Sequence, residues 1–270
     1  MRMRQSGICT GFVIIVTVHD AGISEEEVYI VMEFLTGDTL CKVIDHSTLP
    51  LADFIKVATQ TLEGLSAAHT RSMLHRDIKP ANIMVVWDSS GEYRLKLLDF
   101  GLAKFSNVPV QQTIDHDSSI MGSIHFMAPE QFERAPVDCR SDLYSLGCVL
   151  YYSLTGEYPF QGDNAPQVMA SHLQARKWPV SQYRNDIPEN ILWWLDTMMS
   201  RNPEQRFADA KTALVEFQRI AIDSASTETY PAGYALESTI ANRVVTAGKQ
   251  LRTNGLHIRI IHFNDIQLVD

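Results

Sequence analysis

The spacing of apolar residues changes along this chain, and each spacing predicts an element. "GFVIIVTV" at 11–18 is an almost unbroken apolar run and predicts a buried strand. "VYIVMEFL" at 28–35 is rich in β-branched and aromatic residues and predicts a second strand, with the charged "SEEE" before it as a turn. Phe54, Val57, Ala58, Leu62, Leu65 and Ala68 then recur at steps of three and four, which predicts a long amphipathic helix. A loop holding Pro80 follows. "IMVVW" (83–87), "DSSG" and "YRLKLLDF" (93–100) read as a hairpin. Residues 102–127 are irregular, polar and rich in serine and threonine, a long loop of the kind that carries function. Helical patterns return at 141–156, apolar all round and ending at Gly156, and at 189–200 and 208–220, both amphipathic. After Ile220 the composition shifts to "DSASTETYPAGY", a linker. In the remaining tail "TIANRVVTAGKQL" reads as a short helix and "HIRIIHF" as a strand. Strands first and helices afterwards make an α+β chain with a helical bulk.

Composition narrows the class. The 270 residues are 45% hydrophobic and 20% charged, as in a soluble globular protein. The net charge of −9 argues against a general nucleic-acid binder or an anionic-membrane binder, which would carry a basic face. Cys9, Cys41, Cys139 and Cys148 are scattered without metal-ligand spacing and read as free thiols of a reducing, cytoplasmic setting. No apolar run is long enough to span a bilayer. The opening "MRMRQSGICTGFVIIV" lacks a small-residue cleavage site, and Asp20 soon follows, so it does not read as a signal peptide. His19, His46 and His69 read as surface or satisfied histidines, and Trp193 and Trp194 as packing residues.

The chemistry is concentrated in "HRDIKPANIM" (75–84) and "LDFG" (98–101). Asp77 and Asn82 lie in the loop between the long helix and the hairpin, and Asp99 ends the hairpin's second strand. Folding the hairpin back brings the three oxygen-bearing side chains together, with Lys79 beside them. Singly each is a turn former. Jointly they offer hard oxygen donors for Mg²⁺ and a cation for phosphate, which suits phosphoryl transfer.

"HRDIKPAN", "LDFG", "GSIHFMAPEQ", "SDLYSLG" and "NPEQRF" occur in that order, and over about residues 10–220 the chain resembles the eukaryotic-like Ser/Thr protein kinases of bacteria. The resemblance implies the protein-kinase-like α+β fold: small-lobe remnant and hinge at 1–35, a complete, mainly helical large lobe at 36–220, and a tail of unassigned role at 221–270. It implies ATP and Mg²⁺ as cofactors and transfer of the γ-phosphate to Ser or Thr hydroxyls of proteins. Asp77 would be the catalytic base, Lys79 would steady the γ-phosphate, and Asn82 and Asp99 would hold Mg²⁺. Met32 would be the gatekeeper, Glu33 to Leu35 the hinge that bonds the adenine, and Met84 the floor of its pocket. Arg76 would pair with a phosphate on the activation loop, with Thr113, Ser118 and Ser119 as acceptors and Ser123 as the hydroxyl beside Asp77 and Lys79. Glu130 and Arg206 would form a buried ion pair, Asp142 would anchor the catalytic loop, and Val18, His75 and Phe100 would stack in an internal spine.

Set against that family, the amino-terminal part departs from the pattern. Gly7, Gly11 and Gly22 are scattered where the family has G-x-G-x-x-G, and no lysine precedes Lys42. The resemblance therefore implies an N-terminally truncated, incomplete small lobe whose nucleotide would be uncovered from above. Two further readings stay open at this point: an inactive pseudokinase serving as a binding or scaffolding module, and a small-molecule phosphotransferase of related core, which would lack the Lys79-Pro80 arrangement and the "MAPE" platform.

Overall fold

The structure, a computed structural model, describes residues 14–24, 27–88, 91–100, 122–227 and 259–262. Its centre is a helix that is apolar all round. α4 (Cys139–Thr155) buries almost every residue from Ser141 to Leu154, as a helix with no polar stripe must. Asp138 caps its start by accepting from the Arg140 N–H at 2.8 Å, and Gly156 ends it in the left-handed region at φ 73°. Around it stand α2 (Leu51–His69), α5 (Ala165–Leu173), α6 (Glu189–Met198) and α7 (Ala210–Thr227), with the short α3 (Pro129–Phe132). The predicted stripe of α2, from Phe54 to Ala68, is the buried one. Phe54 meets Phe217 of α7 edge-on at 6.1 Å. Trp194 of α6 lies 4.4 Å from Phe217 and donates to the Ala213 carbonyl at 3.0 Å. Trp193, read as a packing residue, is 55% exposed, because it sits on the outer face of the same helix.

Among the described residues the strands form two sheets of three, with orders β1-β2-β6 and β3-β4-β5. β1 is Val18–Ser24, β2 Glu27–Met32, β3 Gly37–Thr39, β4 Ile83–Trp87, β5 Tyr93–Leu97 and β6 Arg259–His262. The first strand is displaced from the apolar run that predicted it. Residues 14–16 make a short parallel bridge to β5 instead, through Leu97 N–H to the Ile14 carbonyl (2.7 Å) and Val16 N–H to the Leu97 carbonyl (3.0 Å). β1 is the more polar stretch after it, held by antiparallel pairing with β2. The hairpin β4–β5 forms as predicted and is fastened to α2: Tyr93 donates to buried Asp53 at 2.9 Å, and Gln60 accepts from the Leu95 N–H at 2.8 Å.

β3, the adjoining α1 (Leu40–His46) and α5 were not predicted. β3 is three residues, too short to show a period, and the two helices are brief. Gly37 is required in β3, since a Cβ there would lie 2.0 Å from the Val85 carbonyl oxygen. α7 runs on to Thr227, into the stretch that composition marked as linker. "HIRIIHF" does supply a strand, β6, which adds to the free side of β2. Among the described residues no helix is long and apolar enough to cross a membrane, and Cys41, Cys139 and Cys148 are free thiols. Cys9 lies outside the described residues.

Glu130 of α3 and Arg206, far apart in sequence, form a two-pronged ion pair at 2.7 and 2.9 Å. Both are buried, and Ser141 donates to the same carboxylate at 2.6 Å. Burial opposes ionisation of Glu130, but the bonds from Arg206 and Ser141 outweigh it and hold its pKa below the ordinary glutamate value. A depressed carboxylate stabilises the fold above its unfolded pKa and loses that contribution as pH falls through the folded one. Glu130→Gln leaves the guanidinium buried and unpaired, which costs about 3 kcal/mol or more at neutral pH. Urea denaturation at pH 7 should show that loss, and the gap from the parent should narrow as the pH is taken below about 4.

Candidate active site

The site begins at Asp142, on the first turn of α4 and almost fully buried. Its carboxylate accepts from the backbone N–H of His75 (2.9 Å) and of Arg76 (2.8 Å) and contacts His69 Nε2 at 2.9 Å. His69 was read as a surface or satisfied histidine, and the structure makes it part of this anchor. The Arg76 carbonyl in turn accepts from Gln131 Nε2 at 3.1 Å. So held, Arg76 takes φ 68°, a left-handed conformation that a non-glycine residue adopts only under surrounding constraint. The chain reverses there and presents Asp77.

Asn82 lies in the short 3-10 turn that Pro80 opens. It donates through Nδ2 to the Asp77 carbonyl (2.8 Å) and to Asp77 Oδ2 (3.0 Å). Lys79 Nζ is 3.0 Å from the same Oδ2 and donates to Ser123 Oγ at 3.0 Å. The Leu98 N–H bonds the Asn82 carbonyl at 2.9 Å and so ties the end of β5 to this loop. Asp99 follows at φ 61°, the second left-handed non-glycine residue of the site. Burial pushes the Asp99 carboxyl above its ordinary pKa. The nearby His75 and Lys79 oppose that, and the charge of Asp77 adds to it. Asp77, Lys79, Asn82, Asp99 and Ser123 therefore share one neighbourhood, as the sequence predicted.

His75 is buried, which lowers its pKa and keeps the ring neutral. Its ring lies 4.5 Å from that of Phe100. Phe100 packs on the cluster of Ile15 and Ala68, and Val18 instead stands at the head of β1 opposite Met32.

The other wall carries the segment from Met32 to Leu35. Met32 ends β2, and Met84 lies in β4 opposite Thr39 of β3. Sequence reasoning missed a residue here. Lys96 Nζ bonds Glu33 Oε1 at 2.6 Å and lies 3.4 Å from the Ile15 carbonyl. The Glu33 carboxylate also accepts from the Thr17 N–H at 2.8 Å, while its own N–H donates to the Thr17 carbonyl at 2.9 Å. Burial works against ionisation of Glu33, yet the Lys96 and Thr17 bonds hold its pKa below the ordinary value. A lysine in a strand reads as a solvent-face residue, and only the fold reveals its partner. Thr113, Ser118 and Ser119 lie outside the described residues.

In its donors, two carboxylates, an amide and a lysine, this constellation fits hard-cation and phosphate chemistry. Asn82 directs its N–H groups at Asp77, which leaves the amide oxygen as a donor, and a divalent cation would offset the penalty that burial places on the Asp99 carboxylate.

Comparison with known proteins agrees. The profile described as "Protein kinase domain" matches residues 9–217. A protein named as a probable serine/threonine-protein kinase of Clostridium acetobutylicum is 37% identical over 207 residues, covering 76% of this chain and 30% of that protein. Serine/threonine-protein kinase PknB of Mycobacterium leprae is 33% identical over 211 residues, covering 76% of this chain and 33% of its own. The chain thus spans about a third of the length of these curated relatives. Among solved structures, a cysteine-to-alanine mutant of the PknI kinase domain of Mycobacterium tuberculosis superposes with a TM-score of 0.59 at 23% identity, over 77% of this chain and 71% of that one. Rad53 in complex with AMP-PNP superposes at 0.61 and 27% identity, over 74% and 49%. A helical lobe around one buried helix, a strand-bearing lobe, a loop hung from a buried aspartate and a matching profile over most of the length have one reading: this chain is a member of the protein kinase family.

Proposed function

We propose that this chain is a protein serine/threonine kinase that transfers the γ-phosphate of ATP to Ser or Thr hydroxyls of proteins. The observation that carries the reading is the Asp77–Lys79–Asn82 constellation, with Lys79 bridging Asp77 and Ser123. In this reading the Asp77 carboxylate accepts the proton of the substrate hydroxyl, whose oxygen forms the new bond to phosphorus as the bond to the bridging oxygen of ATP breaks. Lys79 neutralises charge on the moving phosphoryl group, and Ser123 sets where Lys79 points. Asn82 and Asp99 would hold Mg²⁺, which when bound would supply charge neutralisation on the phosphates. The names of the relatives support Ser/Thr substrates, and the Rad53–AMP-PNP complex supports nucleotide binding.

Adenine would bond the backbone of Glu33 to Leu35, between Met32 and Met84. The Lys96–Glu33 pair acts here as a positioning device: it fastens the hinge to β5 and to Thr17, so the backbone groups that face adenine are held before the nucleotide arrives. Regulation follows from Arg76, whose Nε is buried without a hydrogen-bond partner among the described residues. A phosphorylated hydroxyl at Thr113, Ser118 or Ser119 would supply one.

Incubation with labelled ATP and Mg²⁺ should label the parent, while Asp77→Asn and Asp99→Asn should each lose about a hundredfold or more of the rate. An unlabelled parent would overturn the catalytic reading and leave a binding module. Lys96→Met should raise KM for ATP by about fivefold with a smaller change in kcat, the pattern of lost uniform binding. A Lys96→Met enzyme with unchanged KM would remove the positioning role.

A further inference from the structure

β2 has neighbours of different origin. β1 is local, joined to it through residues 25–26, whereas β6 arrives from residues 259–262. The β2–β6 pairing runs antiparallel from Tyr29 opposite His262 to Met32 opposite Arg259, so it stops one residue before Glu33. Among the described residues the β1–β2 ribbon has no ladder to the β3–β4–β5 sheet. The ribbon is tied to β5 by the bridge of residues 14–16 to Leu97 and by Lys96, which bonds Glu33, while Thr17 and Glu33 exchange bonds at the ribbon's own end. A two-stranded ribbon is marginal in water, and a third strand is the usual minimum for a sheet that holds its shape. The unpaired side of β2, "EVYIVM", would otherwise be an open edge rich in β-formers. The incoming "RIIH" supplies two adjacent β-branched residues, which suit a pleated ladder.

We infer that the edge of β2 is a strand-acceptor site whose occupant is this chain's own segment 259–262, docked in cis, and that its docking steadies the hinge end of the nucleotide cleft. With β6 in place, Tyr29 to Met32 are paired on both sides and deliver Glu33 to Thr17 and Lys96. Without it, the same residues keep one neighbour only, and the hinge loosens at its first residue. The link to nucleotide binding rests on the kinase reading above, whereas the docking of the strand does not.

The test uses the full chain, a double variant Ile260→Pro/Ile261→Pro and a control Ile260→Val/Ile261→Val. Successive N–H groups of a strand point to opposite sides, so two adjacent prolines remove a donor to β2 whichever residue supplies it. Hydrogen exchange should be faster by about tenfold or more at Tyr29 to Met32 in the proline variant, with the valine control like the parent and α4 and β5 unchanged in all three. Equal exchange at Tyr29 to Met32 in parent and proline variant would overturn the docking. A dimer in sedimentation whose protection disappears on dilution would overturn the cis arrangement. Titration with a fluorescent ATP analogue should show affinity weaker by about threefold or more for the proline variant. Unchanged affinity beside faster exchange would overturn the coupling alone. A parent that binds no nucleotide would overturn the coupling and the kinase reading together, and exchange would still decide the docking.

Discussion

The carboxylate of Asp142 is the contact on which the site depends. A buried charge is costly unless it is fully bonded, and this one is satisfied by two backbone N–H groups and a histidine ring of a single segment. The loop thereby becomes the solution to a problem posed by the core. α4 is almost wholly buried from Ser141 to Leu154, and the 75–76 backbone is referenced to its first turn directly. That constraint sustains the left-handed φ of Arg76, which costs free energy in isolation. From there the directions of Asp77, Lys79 and Asn82 follow by short hydrogen bonds, each counted from the previous one.

Opposed charges organise the rest of the site. Asp77 and Asp99 raise one another's energy, Lys79 sits between roles as partner of Asp77 and of Ser123, and burial penalises Asp99 most. Such an arrangement is poor for stability and good for chemistry, because the unrelieved charge favours whatever brings cations and phosphates together. The Glu130–Arg206 pair, by contrast, is satisfied internally by Ser141 and by backbone carbonyls around the guanidinium, and has no charge left to offer a ligand.

The helical lobe and the loop were legible in the sequence for different reasons. α2 and α6 declare themselves through periodicity, and α4 through an apolar run longer than a strand that ends at Gly156. Asp77, Lys79, Asn82 and Asp99 are legible because residue type and spacing in a loop define a site whatever the flanks do. The small lobe was harder. Its apolar run at 11–18 suggested a strand, yet β1 is the polar stretch after it, since backbone pairing with β2 does not require apolar side chains. β3, at three residues, carries no period at all. Lys96 was invisible because its meaning lies in Glu33, which only the folded hairpin brings within reach. "HIRIIHF" showed its type but not its partner, which lies at the other end of the chain.

That last pairing sets a schedule for synthesis. β6 leaves the ribosome more than two hundred positions after β2. At a translation rate of about 5–20 residues per second, the edge of β2 waits on the order of ten to fifty seconds for its strand. The helical lobe can assemble in that interval, since α2, α4, α6 and α7 all precede β6. The β2 edge is therefore completed only after the helices between it and β6 have been synthesised, and for that time it is open to chaperones and to neighbouring nascent chains.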